Sequence, residues 1–216
     1  MGAKTWMLVY ADPEFPPSHI RAATDLDREK SFALAKRLFP KETLRVSGQG
    51  DLSSTCPDEN QIMVGSFPNV AVVAASEFGI DHPSRLPKHF LENAPYRDTY
   101  LHAMHSAVDW LAFAHWSDGK LVRALSLSPD CGVLEDVGPR LDFEAPYWAG
   151  QHPALDSSED PGRYPFPFHP LELGEAALAA FFGYRLEGYV GESLLEPENI
   201  PLLQLQRSKP RWSFWK

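Results

Sequence analysis

The sequence predicts an α+β fold: a mixed sheet with an N-terminal strand-helix unit and a C-terminal antiparallel meander, helices packed on the sheet. Three observations predict it. A short apolar and aromatic run, Lys4–Ala11, precedes Phe32, Ala35, Leu38 and Phe39 at helical spacing, which Pro40 stops. Trp110, Ala112, Ala114 and Trp116 alternate with Leu111, Phe113 and His115, Ser117-Asp118-Gly119-Lys120 turns the chain, and Leu121, Arg123, Leu125 and Leu127 alternate back. Asp-Gly between alternating runs is the strongest short-range hairpin signal. A second helical repeat, Leu173, Ala177, Leu178 and Phe181, ends at Gly183.

In chain order, Lys4–Ala11 reads as a buried strand bounded by Asp12-Pro13 and Pro16-Pro17, and Thr24 or Asp25 offers the cap of the helix that follows. Residues 44–46 form a brief strand candidate, and 61–67 and 70–75 two more, parted by Pro68-Asn69. Residues 83–93 carry Leu86, Phe90 and Leu91 near helical spacing, with Pro87 in the first turn. Residues 101–109 fit two periods. As a strand they put His102 and His105 on opposite faces; as a helix they put His102, His105 and Asp109 on one. The flanking Thr99-Tyr100 and the hairpin that follows favour extended structure with a bend near Ser106. Residues 132–137 add a third antiparallel strand after Ser128-Pro129-Asp130.

From 139 to 170 the prolines at 139, 146, 153, 161, 165, 167 and 170 exclude a central strand or long helix. Phe143, Tyr147, Trp148, Tyr164, Phe166 and Phe168 argue that this long loop is ordered, because that much aromatic surface is costly to leave in water. Its middle, 156–162, is the expected mobile part. Residues 171–182 form the last helix, and 200–205 alternate weakly, as an edge strand would.

At 216 residues, 44% hydrophobic, 23% charged and 12% aromatic, the chain reads as one folded domain over 1–216. Its longest uncharged apolar run, residues 70–75, is far short of the about 20 residues a membrane span needs, and the apolar run at 6–10 is too short for a signal peptide. A cytoplasmic protein with Cys56 and Cys131 as free thiols is expected. A net charge of −9 argues against nonspecific nucleic-acid binding. Charge is uneven: residues 130–198 hold three arginines against fourteen acids, and a tail with Arg207, Lys209, Arg211 and Lys216 follows. No cofactor motif is present. Gly2-Ala3-Lys4-Thr5 imitates the end of a phosphate-binding loop, but no strand or earlier glycine can precede it.

The candidate constellation is His102, His105 and Asp109 with Glu135, Asp136, Glu144, Tyr147, Trp148 and His169. Imidazole and carboxylate together hold a transition metal, for which His102, His105 and Asp109 are the candidate ligands, or serve as a base and its orienting partner. Catalytic candidates are His102, His105, Asp109, Glu144 and His169. A ligand pocket would use Tyr147, Trp148, Trp110, Glu135 and Asp136. The plainest account of these groups is structural hydrogen bonding, the usual fate of buried polar side chains. Ser106, Ser126 and Ser128 sit in no nucleophile elbow.

The segments MGAKT, LHAMHSAVDWLAFAHWSDGKLVRALSLSPD, GVLEDVG, FEAPYWAGQHP and YPFPFHPLELGEAALAAFFGY resemble an uncharacterised actinobacterial family, a domain of unknown function spanning nearly the whole chain. The resemblance implies a single-domain bacterial protein and brings no activity, cofactor or catalytic residue with it. The expectation is a non-catalytic binding or interaction domain for a protein or small-molecule partner, with its pocket between the meander and the aromatic loop. The alternative is a hydrolase, metal-assisted if so, using His102, His105, Asp109 and nearby acids.

Overall fold

The computed structural model describes residues 2–13, 20, 25–154, 165–187 and 194–208. Thr24, the 156–162 stretch and the tail beyond Ser208 lie outside the described residues. The described residues form nine strands: β1 (Lys4–Ala11), β2 (Thr43–Asp51), β3 (Gln61–Phe67), β4 (Val70–Ala74), β5 (Asp98–His105), β6 (Trp110–Ser117), β7 (Lys120–Ser128), β8 (Gly132–Val137) and β9 (Pro201–Ser208). Consecutive buried residues from Met7 to Ala11 require cover on both sides, because strand side chains alternate between faces. β1 accordingly lies mid-sheet in the order β2-β9-β3-β4-β1-β5-β6-β7-β8.

The pairings are antiparallel throughout, so the sheet is not the mixed one expected from the sequence. The helix after β1, α1 (Arg28–Leu38), delivers the chain to the rim strand β2. It does not return it to a parallel place beside β1, whose neighbours β4 and β5 both run against it. A second correction concerns β9, expected at an edge. It lies between β2 and β3, and its Leu202, Leu203 and Leu205 are buried. Both rim strands carry an extra residue: Ser47 in β2, where register slips between Val46 and Gly48, and Leu134 in β8, opposite the Ser126/Leu127 step.

Turn chemistry closes the hairpins. Asp118 and Gly119 take φ of 49° and 70° between β6 and β7, and Asp109 takes 48° where residues 106–109 join β5 to β6. Residues 101–105 are thus strand, with the turn beginning at Ser106.

Each sheet face has its own cover. Met7, Val9, Met104, Leu111, Phe113, Leu125 and Leu127 pack beneath α4 (Pro170–Phe182) and the aromatic loop. Leu8, Tyr10, Leu101, Ala103, Ala112 and Ala114 pack with Leu34, Ala35 and Leu38 of α1 and Phe90 of α2 (Lys88–Glu92). Burying each such Leu or Phe stabilises the fold by about 1.5–3 kcal/mol. The N-cap of α1 is Asp27, whose Oδ1 accepts from Lys30 N–H at 2.9 Å, rather than Thr24 or Asp25. In the 139–170 loop, a 3₁₀ turn at Asp142–Glu144 runs straight into α3 (Ala145–Trp148). Gly174 lets α4 descend on the sheet: a Cβ there would meet Met104 Sδ at 3.0 Å and Leu111 Cδ1 at 3.1 Å. No helix among the described residues is long and apolar enough to cross a membrane.

Candidate functional site

Strand alternation decides where the two central histidines go. His102 points under α4 and is fully buried, while His105 points to the opposite face, where its ring lies 6.2 Å from that of Trp6. His102 Nε2 faces the Gly174 carbonyl at 3.0 Å, and since a carbonyl only accepts, that nitrogen carries the proton. Nδ1 therefore accepts the Thr5 hydroxyl at 2.6 Å. Burial pushes the imidazole down from 6.5 to about 4, against the opposing pull of the Gly174 carbonyl. Both ring nitrogens are engaged and the ring stays neutral. His105 Nδ1 accepts the Ala107 N–H at 3.2 Å.

Asp109 lies in the turn after β5, and His169 comes to meet it from the N-cap of α4. His169 Nε2 lies 3.7 Å from Asp109 Oδ1, while Nδ1 accepts the Leu171 N–H at 3.2 Å. The helix cap holds the nitrogen that a general base would need free. Among the described residues no three His, Cys, Asp or Glu side chains are placed to hold a metal ion together.

Glu144 sits at the end of the 3₁₀ turn, fully buried, against the fully buried Arg123 of β7. Arg123 Nε and Nη2 donate to the two carboxylate oxygens at 2.9 and 2.7 Å, a bidentate pair. Arg123 Nη1 donates to Asp136, to the Val137 carbonyl at 3.0 Å and to the Ala124 carbonyl at 3.2 Å. Glu144 also accepts the Leu141 N–H at 2.9 Å and the Trp148 indole N–H at 3.4 Å. These bonds fasten the aromatic loop to the meander. Tyr147 donates to the Glu172 carbonyl at 3.2 Å, Arg140 lies 3.9 Å over the Trp148 ring, and Phe113, Phe143 and Phe181 pack edge to face or tilted between loop, sheet and α4.

The five residues expected to line one pocket are divided by the sheet. Tyr147, Trp148 and Asp136 lie on the α4 side. Trp110 packs on the α1 side, and Glu135 accepts the backbone N–H of Ser84 there at 2.9 Å, because each is an odd number of steps from its α4-facing neighbour. Among the described residues, the ion pair and the aromatic rings pack between meander and loop.

Two arrangements were not anticipated from the residue order. Asp98 and His115 face each other at 3.8 Å, with the Tyr100 ring stacked on His115 at 4.4 Å and 1°. Burial holds His115 below its ordinary value against the charge of Asp98, and pushes Tyr100 up to about 12. The second is an open cleft of about 940 Å³ at the head of β1. Its lining includes Lys4, Trp6, Cys56, Asp58, Glu59 and Glu187. Burial pushes the Cys56 thiol up, so it is a poor nucleophile. Both cysteines are free thiols.

Fold and site together define a class: an α+β protein on a nine-stranded antiparallel sheet, in which buried ionisable side chains tie loop and helix to the strands. Across residues 5–204 the chain matches the model of a family of unknown function, DUF6928, and it belongs to that family. Neither the curated proteins nor the solved structures yield a match.

Proposed function

We propose that this protein is a non-catalytic binding protein of the bacterial cytoplasm, taking a small molecule in the cleft at the head of β1 and not beneath the aromatic loop. One contrast supports the reading. Under the loop, Glu144 and Tyr147 are buried in bonds to neighbouring protein groups, while the cleft is open and offers an indole, an ammonium, a thiol and several carboxylates around one space. The bacterial setting rests on the resemblance to actinobacterial proteins.

A thermal-shift screen of the purified protein against metabolites, including amines and guanidines for the acidic lining, tests the reading. We expect a compound that raises Tm and binds by calorimetry, with affinity reduced at least about tenfold by Lys4→Ala or Trp6→Ala. Hits whose affinity neither substitution changes overturn the placement in the cleft. The hydrolase alternative draws on one observation, the Asp109–His169 approach. Turnover of ester or phosphoester substrates, with or without added divalent metal, that disappears in Asp109→Asn would replace the binding reading.

A further inference from the structure

A second groove, of about 900 Å³, is lined by α1, by the turn joining β3 to β4 and by the Pro95-Tyr96 segment. It has no lining residue in common with the cleft at the head of β1. Lys30, Ala33, Leu34 and Arg37 stand at i, i+3, i+4 and i+7, so a single face of α1 lines it. Phe67, Pro68, Pro95 and Tyr96 add apolar surface, and the volume falls in the usual range of small-molecule sites.

Two polar groups in this lining are left unengaged. Ser66 is only 8% exposed and keeps phase with Ile62 and Val64, on the sheet face that α1 covers. Its carbonyl accepts the Asp27 N–H at 3.0 Å and its N–H donates to the Ser31 hydroxyl at 2.8 Å, which fixes it beside the first turn of α1. Its own hydroxyl has no hydrogen-bond partner among the described residues. Lys30 and Asp27 are paired, Nζ to Oδ2 at 3.0 Å, and Asp27 also caps the helix. Arg37 has no hydrogen bond or ion pair among the described residues, and it follows Ser31 by six residues, about 9 Å along the helix.

We propose that this groove is a second ligand site, for a hydroxylated aryl carboxylate: carboxylate on the guanidinium of Arg37, ring against Leu34 and Tyr96, hydroxyl on that of Ser66. The planar fork of Arg37 matches a carboxylate. With Asp25 and Asp27 in the same lining, a single negative charge suits the groove better than a doubly charged phosphate. No aromatic ring among the described residues packs on Tyr96, so a flat body laid against it gains a ring contact that the protein itself leaves unmade. Spacing sets the length of that body: about 9 Å separates the two polar ends, with Leu34 between them. The site is independent of the cleft at the head of β1, whose acidic lining suits cations.

The test is a proton–nitrogen NMR titration of the full chain with para-hydroxycinnamate, and with cinnamate and para-hydroxycinnamyl alcohol, each of which lacks one polar end. Para-hydroxycinnamate should move the amides of Arg37, Ser66, Phe67 and Tyr96. It should bind at least about tenfold more tightly than the alcohol and at least about threefold more tightly than cinnamate. Arg37→Gln should erase the first difference. Ser66→Ala should erase the second and leave Tm unchanged, because that hydroxyl bonds nothing in the folded protein. A silent groove, or a preference for the carboxylate that persists in Arg37→Gln, overturns the site. Movement at Lys4 and Trp6 in place of the groove amides overturns it too, by putting the probe in the cleft. A silent groove leaves the reading of the cleft as it stands, since that reading is tested through Lys4 and Trp6.

Discussion

Arg123 and Glu144, both fully buried, meet through two parallel hydrogen bonds of 2.9 and 2.7 Å across the boundary between the meander and the aromatic loop. Removing one partner of such a pair leaves an uncompensated charge in the interior. Glu144→Ala should lower stability by about 3–5 kcal/mol in urea unfolding. The double variant Arg123→Met with Glu144→Leu should recover much of that loss, which equal loss in single and double variants would contradict.

His102 is neutral when folded, held near 4, and takes a proton near 6.5 when unfolded. Its folded value is depressed, so its contribution is complete above 6.5 and is lost as pH falls toward 4. Over that window the wild type should lose about 3 kcal/mol more than His102→Gln, read as the difference between their unfolding free energies at each pH. Glu175, whose carboxyl burial raises to about 7, works in the opposite sense and is common to both proteins, so it cancels.

Two glycines with similar positive φ should respond differently to alanine. Gly119 has φ of 70° and open space around it, while Gly138 has φ of 82° and a Cβ there would lie 2.1 Å from the Val122 carbonyl oxygen. Gly119→Ala should cost about 1–2 kcal/mol from backbone conformation alone. Gly138→Ala adds a clash with fixed backbone and should cost at least about 1 kcal/mol more. Similar melting temperatures for the two variants would refute the distinction.

His169 caps α4 through Nδ1. His169→Ala should lose about 1 kcal/mol in thermal unfolding, and His169→Asn, which places an acceptor at the same cap, should recover it. A catalytic imidazole would not be replaced by an amide, so restoration of stability alongside loss of a measured turnover would separate the two roles.

Much of the hairpin architecture was legible because it is local. Asp118-Gly119, the alternation on either side and the bend at Ser106 all lie within a few residues of the strands they organise. Sheet order was not, because β9 inserts between β2 and β3 from more than a hundred residues away, and no short-range period records that. The site suffered from the same distance. Trp110 and Glu135 looked close to Tyr147 in chain order but fell on the far side of the sheet. Arg123 did leave a signal: it keeps phase with Leu125 and Leu127, and an arginine on an apolar face demands a buried acid. Glu144 answered that demand from the loop.

The extra residues Ser47 and Leu134 matter beyond the strands that contain them. A sheet that does not close ends in two rows of unpaired backbone groups, and a straight row is a template for a neighbour's strand. Here each outer row is broken partway along, by Ser47 on one side and Leu134 on the other. A fibre grown strand upon strand would first have to iron out both interruptions, so the fold carries its own obstacle to amyloid-like stacking in the two places where stacking would begin.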